Sequence, residues 1–523
     1  MNLRIKTLIL LLMAFSYTGF SQSGSLEDVV SISLNNVGPI QGENGVAGYY
    51  MFFETDKIDK KTRAYTLKIL DNNLEEVARK KIRGKPYTDL VEAAFNGKNI
   101  MLKFYDAKEN QYKFKSYDMT GMRAKGATRK LSKKEYRAPF YFQGKRGDNH
   151  GNALFAIPDK GFVQYAGVKN KKWGYIIDFI GGEKRWKYKS SKKSEVLEMA
   201  QYVTADSSIL INTLAKFKNG FAKGWETSIL AIDVNTGDKV FETALDNDIA
   251  VSILNGSLDQ DKKEILLFGV YFDQGDKVTK AKSKGLYVAS FDLEGNLKKK
   301  RTISWAEDAS ELIKMNKKGK MEGGKYITFH DIVRTADGKI IAVGEQFKKV
   351  LNKAGIVGNL IVGAIAGGLG ATNTSPAFNL SELEIHDMMT FQLNEDLELE
   401  DIKIIEKEKS SVSVPGAGWE SPQLMAYLAN SIGAFDYSFT QKNEDNSVVS
   451  FGYMNWNRRR GEKNGYNFGS VTHADGTQTT DEIKLDGSAD RVRVYPAQEG
   501  NVLVIEYFGK EKRLDMRLEQ LNF

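Results

Sequence analysis

Ala205-Asp206-Ser207-Ser208-Ile209-Leu210-Ile211-Asn212-Thr213-Leu214, followed by Ser228-Ile229-Leu230-Ala231-Ile232-Asp233-Val234-Asn235-Thr236-Gly237, decides the fold. The first segment is a short polar turn opening into a strongly apolar strand. The second is an apolar strand that ends on Asp233 and turns at Gly237. An Asp side chain can accept hydrogen bonds from backbone N–H groups a few residues ahead, and Gly takes the left-handed position that such a turn needs. If the strands of one unit are named a to d, the two segments are an a–b and a c–d hairpin.

Both signatures recur in alternation along the chain. The a–b turn returns at Asn96-Gly97-Lys98-Asn99, Pro158-Asp159-Lys160-Gly161, Asp259–Lys263, Ala336-Asp337-Gly338-Lys339, Asn443–Asn446 and Gln498–Asn501. A strong strand follows each, such as Ile265–Phe272, Ile340–Phe347, Val448–Trp456 and Val502–Phe508. The c–d turn returns at Asp71, Asp118, Asp178, Asp292, Asn394 and Asp475. A four-stranded antiparallel unit repeated in this way predicts an all-β propeller of seven or eight blades, with eight favoured. The last unit runs out after three strands, Arg491–Tyr495, Val502–Phe508 and Arg513–Leu521, and Val29–Leu34 is expected to supply its fourth. The rival is an outer-membrane barrel, suggested by the alternation Leu514, Met516, Leu518 and a terminal Phe523. Strands such as Ile265-Leu266-Leu267-Phe268, apolar on both faces, count against a barrel with a polar lumen.

Ala231-Ile232-Asp233-Val234-Asn235-Thr236-Gly237-Asp238 resembles the repeat of quinoprotein-like propellers. The tryptophan that usually follows is replaced by Phe241, so quinone chemistry is not implied. Ser290-Phe291-Asp292-Leu293-Glu294-Gly295 resembles the Asp-box of sialidases, but its turn is one residue longer and lacks the closing aromatic. Sialidase activity is not implied either. Taken whole, the chain resembles uncharacterised secreted bacterial propeller-like proteins.

The composition suits a large folded domain that is held together without covalent staples. Of 523 residues, 41% are hydrophobic, with 23 Tyr and 28 Phe for the core, and 48 Gly against 8 Pro supply turns. Arg4 and Lys6, then the apolar run Leu8–Phe15, then the small Gly19 and Ser21, read as an export signal over residues 1–21, leaving a propeller over 22–523. Its removal lowers the net charge from +8 to +6. The absence of Cys excludes disulfides, Cys-based zinc sites and thiol nucleophiles. The expected location is the periplasm or cell surface of a Gram-negative bacterium, where nucleic acid is not the expected partner.

In a four-stranded antiparallel blade the a–b and c–d turns share one face of the ring, and the b–c and d–a connections share the other. Every long insertion falls on the second face: 132–150, 303–325 and 405–433 as d–a connections, 273–284, 348–384 and 457–465 as b–c connections. Insertions gathered on one face point to binding there. Two of them read as helices packed on the ring, Trp305–Met315 and the segment after Ser421-Pro422. Ala354–Ala371 carries no charge and contains Gly363 and Gly367 at a small-xxx-small spacing, which suits membrane or partner contact.

There are four histidines and no HExxH, Walker, GxSxG or dinucleotide motif, so the sequence names no catalytic residue, metal site or cofactor. His330-Asp331 and His386-Asp387 stand out because both lie near strand starts of the sixth unit, on the insertion-bearing face. An adjacent carboxylate can orient an imidazole as a base or ligand. Arg458, Arg459 and Arg460, flanked by Trp456 and Tyr466, suit a carboxylated glycan or acidic partner. His473 falls in a c–d turn and is expected to be structural. The sequence thus leads to a non-enzymatic binding or scaffold module for an envelope protein, peptide or glycan. A hydrolase of envelope or extracellular polymers and an outer-membrane-associated protein are the alternatives.

Overall fold

The computed structural model describes residues 23–521, except 33–35, 43–44, 61, 85–87, 107, 132–152, 170–172, 192–194, 222–223, 261, 278–279, 352–380, 414–420, 432, 458–464 and 499. The strands form eight separate antiparallel sheets, each built on four strands in the order a-b-c-d, with a fifth short strand added to one of them. They are the blades of an eight-bladed propeller. The separate sheets rule out the barrel, which would need one continuous ladder.

Each blade repeats the same logic. In blade 5, strand b (Glu264–Asp273) and strand c (Gly285–Asp292) are almost wholly buried, while strand d (Leu297–Ser304) is exposed along most of its length. The two middle strands present both faces to neighbouring blades, so both faces are apolar. One core fills each gap between blades. Phe268, Val288, Phe329 and Phe391 join blades 5 and 6; Val343, Met388, Phe451 and Val471 join blades 6 and 7. The c–d turns close as expected: Asp71, Asp118, Asp233 and Asp292 each accept backbone N–H bonds from residues two to four positions ahead. Gly121, Gly237 and Gly295 stand at positive φ in three of those turns.

The ring closes with one strand from the amino terminus, but not the expected one. Strand d of blade 8 is Ser23–Leu26, paired with Arg513–Gln520 through Ser23↔Arg517 to Leu26↔Leu514. Val29–Ile32 of the expected Val29–Leu34 instead leads towards blade 1, and Ser33 and Leu34 lie outside the described residues. Val29 and Ile32 are buried, the Val29 N–H donates to the Lys512 carbonyl, and Ser31 bridges to Glu54. The apolar residues that signalled a strand are wedged between blades 8 and 1, and the outer strand itself is short and polar, as an exposed edge should be.

The described insertions lie in the b–c and d–a connections that the sequence indicated, while 132–150 and most of 348–384 and 457–465 lie outside the described residues. Helix α1 covers only Asp308–Leu312, shorter than the expected Trp305–Met315, and anchors through Trp305 and Ala309 in the core of blades 5 and 6. Helix α2 spans Pro422–Ser431. The Ser421 hydroxyl accepts the Leu424 N–H at 3.2 Å, and Met425, Ala426 and Ala429 pack on Tyr326, Phe347, Leu383 and Ile385 of blade 6. An additional short strand, Ser410–Ser413, pairs with strand c of blade 6.

Since Leu26 is 9% exposed and packs among Met516, Leu514 and Val29, Leu26→Ala should lower the unfolding free energy by about 2–3 kcal/mol. Ser25→Ala, on the exposed side, should cost well under about 1 kcal/mol. Urea denaturation of the two variants checks whether Ser23–Leu26 carries the closure.

Candidate functional site

His330, Asp331 and the groups around them form a buried ionisable cluster between blades 6 and 7, beneath the connection that carries α2. A β-bulge in strand a of blade 6 (Tyr326–Arg334) shifts the register between Phe329 and Asp331. A second bulge lies in strand c (Ser381–Leu393), where His386 and Asp387 together stand opposite Gln346 of strand b (Ile340–Leu351). An extra residue re-aims the side chains beside it, and here it brings charged groups inward from strands that otherwise carry apolar ones.

His330 does not pair with its neighbour Asp331. Its Nε2 lies 3.0 Å from Glu345 Oε2, its Nδ1 lies 3.1 Å from Asn430 Oδ1 on α2, and its ring stacks on Tyr437 at 4.9 Å. The His330 side chain is 1% exposed and that of Glu345 0%. Lys407, from the connection between blades 6 and 7, lies 3.5 Å from Glu345 Oε1 and 2.5 Å from Asp436 Oδ2. The Ser410 hydroxyl donates to the same Asp436 oxygen at 2.5 Å, and the Tyr437 N–H donates to Glu345 at 3.0 Å. Burial pushes the Glu345 carboxyl up, but His330 and Lys407 outweigh it and hold it below the usual range. Asp436 is raised, by burial and then by the charge of Glu345.

Asp331 serves a different set of partners. It accepts from Asn255 Nδ2 at 2.7 Å, from the Tyr437 hydroxyl at 3.2 Å and from the Ile332 N–H at 2.8 Å. Asn255 and Tyr437 lie beside bulges in strand a of blades 5 and 7, so three successive innermost strands are tied by one polar chain. Burial pushes the Asp331 carboxyl up despite these bonds.

The second expected pair is also divided. His386 Nε2 lies 3.6 Å from Glu384, which also pairs with Lys409, and burial with the nearby Lys325 pushes the imidazole down. Asp387 pairs with Lys325 at 3.2 Å and accepts the Lys407 N–H at 3.4 Å. The two histidines therefore answer to different carboxylates and share no site. Among the described residues no group of three His, Asp or Glu converges as metal ligands would. Trp456 lies in strand b of blade 7 (Val448–Asn457) opposite Tyr466, while Arg458, Arg459, Arg460, Gly363 and Gly367 lie outside the described residues.

Sequence reasoning missed Glu345, Lys407 and Asp436. Glu345 left a trace: a charged residue inside the apolar run Ile340–Phe347 must find a partner when both faces of its strand are buried. On the opposite face a cavity of about 550 Å³ opens among the a–b turns of blades 7, 8 and 1, bordered by Gln41, Gln441, Asp445 and Pro496.

Fold and site together define an eight-bladed β-propeller whose main ionisable cluster is sealed and internally paired. The chain belongs to a family of unknown function, DUF6770, whose pattern matches residues 1–522. No curated protein matches it. Among solved structures it is similar to the WD40 domain of SCAP from fission yeast, at 9% identity over 95% of this chain and 98% of that one, with a TM-score of 0.37. It is similar also to a polysaccharide lyase of the ulvan lyase family PL25 (11% identity, 95% and 96% covered, TM-score 0.38). A third similar structure is the β-propeller domain of the trilobed protease from Pyrococcus furiosus (10% identity, 72% and 96% covered, TM-score 0.30).

Lys407→Met removes the cation shared by Glu345 and Asp436, and should cost about 3–5 kcal/mol of stability near neutral pH. Without that cation both buried carboxyls would take up a proton more readily, Asp436 above all, so the deficit should shrink as the pH falls. Urea denaturation from pH 7 to 4 reads this, and a deficit that stays constant would assign Lys407 to packing alone. His473 gives the opposite dependence in the unmodified protein. Burial pushes its imidazole down to about 4, with Lys403 adding to the effect, so the folded value lies below the unfolded one. Its contribution is full above about pH 6.5 and is lost as the pH falls towards 4, a change on the order of 3 kcal/mol. His473→Gln should flatten the stability profile in that window.

Proposed function

We propose that the protein is a non-enzymatic binding or scaffold module of the bacterial cell envelope, exported through residues 1–21. It holds a protein, peptide or glycan over the face that carries the b–c and d–a connections. The observation that carries this reading is the way that face is built. Helices α1 and α2 stand on it and are locked to the ring by buried side chains, and the strand Ser410–Ser413 is held by pairing along strand c of blade 6.

The ionisable cluster beneath α2 supports a platform better than a reaction centre. Glu345 is engaged by His330, Lys407 and the Tyr437 N–H, and Asp436 by Lys407 and Ser410. A general acid or base must reach a substrate proton, whereas these groups reach one another under a cover of Phe435 and α2. Their effect is to hold the long connection between blades 6 and 7 in one place, and a fixed surface loses less entropy on binding.

The test is capture in the native setting. Tagged protein, with and without residues 354–371, is crosslinked in its own envelope fraction and its partners are identified. A discrete partner that is retained by the intact protein and lost on the deletion is the expected result. Release of soluble fragments from envelope polymers by the purified protein, with no partner captured, would overturn the reading in favour of a hydrolase.

A further inference from the structure

Two connections of the insertion-bearing face converge beside blade 5: the b–c connection after strand b (Glu264–Asp273) and the d–a connection that leads through α1 to blade 6. Between them lies an open groove of about 420 Å³, bordered by Lys277, Lys280, Lys282, Lys284, Lys317 and Lys318 together with Asp273, Asp276 and Ala281. Lys284 is neutralised by Asp273 at 2.7 Å. The other five lysines have no carboxylate within ion-pair distance among the described residues. Six cations therefore face two anions in one concavity, where free loops would spread such charges apart.

These loops are held. Ala281 and Ser283 are buried, with Ala281 packed among Phe272, Trp225 and Phe217. The Trp305 indole N–H donates to the Ser283 hydroxyl at 3.1 Å, and the Trp305 N–H donates to the Lys284 carbonyl at 2.8 Å. The Asp276 carbonyl accepts the Gly224 N–H at 2.8 Å. On the opposite wall Asn316 Oδ1 accepts the N–H groups of Lys318 and Lys320 at 2.9 and 3.1 Å. Gly319 sits against Trp305 at positive φ, where a Cβ would meet the indole at 2.8 Å. Apolar anchors thus fix a concentrated positive field, and that arrangement attracts anions before any contact forms.

We propose that this groove is the binding site for an acidic polysaccharide chain, which deepens the reading of this face as a binding platform and rests on it. The cations are all lysines, which act as point charges and accept sulfate or carboxylate groups in many orientations, unlike the planar fork of arginine. Among the described residues the only apolar one on the groove wall is Ala281, which is buried, so they offer no pocket for the side-chain anchors that peptides use. The site is recessed between two loops, which suits a polymer strand lying along it better than a flat bilayer surface.

The experiment measures binding of dextran sulfate, polygalacturonate and neutral dextran to the purified protein, at about 50 and about 500 mM salt. Both acidic polymers should bind at low salt, weaken steeply at high salt, and leave neutral dextran unbound. The triple variant Lys280→Gln, Lys317→Gln, Lys318→Gln should bind about tenfold more weakly with its melting temperature unchanged. A control that removes equal charge from exposed outer strands, Lys80→Gln, Lys81→Gln, Lys298→Gln, should bind as the unmodified protein does. Equal weakening by the two triples would show a diffuse charge effect and overturn the site. Binding to anionic vesicles but to neither polymer would overturn it as well. If the groove triple loses no polymer affinity while envelope crosslinking still captures a partner, the platform reading survives and the groove assignment falls.

Discussion

The middle strands of each blade have no solvent side, and the rest of the molecule follows from that constraint. Strand b of blade 8, Asn501–Phe508, is buried from Val502 to Phe508, with one face against blade 7 and the other against blade 1. A blade removed from its neighbours would expose two apolar faces, so a row of blades is stable only when no end is left open. The ring supplies that, and the ring in turn needs a closing device. Ser23–Leu26 pairs with the last strand of the chain, and Val29 and Ile32 fill the seam between blades 8 and 1. The Tyr507 hydroxyl reinforces it by donating to the Val30 carbonyl at 3.1 Å. Residues almost five hundred positions apart thus complete one sheet, and a cut before Gln22 would leave that strand whole.

The sequence made legible whatever depends on local chemistry. Asp-to-Gly turns and two-faced apolar strands follow from backbone geometry and burial, and they specify the blades, their order and the face that bears the insertions. The missing fourth strand of the last blade was visible as an absence, but its identity was not. Ser23-Gly24-Ser25-Leu26 has almost no apolar signal because its outer face meets solvent, whereas Val29 and Ile32 imitate a strand while serving as a wedge. Helix α1 is short for a similar reason: Trp305 is buried as an anchor before the helix begins, so its apolar spacing was only partly helical. The candidate site was half legible. His330, Asp331, His386 and Asp387 do lie in a charged neighbourhood, but adjacency in sequence did not decide the pairing. Bulges turned His330 towards Glu345 and left Asp331 to Asn255 and Tyr437, and bulges leave little mark on composition.

A buried ion network is an expensive way to gain stability, since well-packed apolar groups of the same volume often do as well. Its advantage in this protein is direction. Apolar packing would accept the connection between blades 6 and 7 in several seatings, because a methyl group has no preferred partner. Glu345 takes His330 from strand a and Lys407 from the connection, while Lys407 also takes Asp436 at the threshold of blade 7. Each ion is satisfied only when three separate segments are in register. The same logic appears in blade 2, where Lys103 is fully buried against Glu92, and Glu92 also accepts the Leu154 N–H of blade 3 at 3.2 Å. Charges at these junctions penalise wrong seatings more than they reward the right one.

That distribution of charge separates the two sides of each connection. Inside, acids and bases are matched one to another and cannot answer a ligand without dismantling the joint. Outside, around blade 5, lysines outnumber acids and are kept together only because Ala281, Ser283 and Trp305 hold their backbones from beneath. A surface that carries unmatched charge at a cost in self-repulsion gains that energy back when an opposite charge arrives, whereas a matched interior gains nothing. The part of this propeller left open to a ligand is therefore the part its own residues leave unbalanced, whereas His330, which first attracts notice, is already engaged by Glu345 and Asn430.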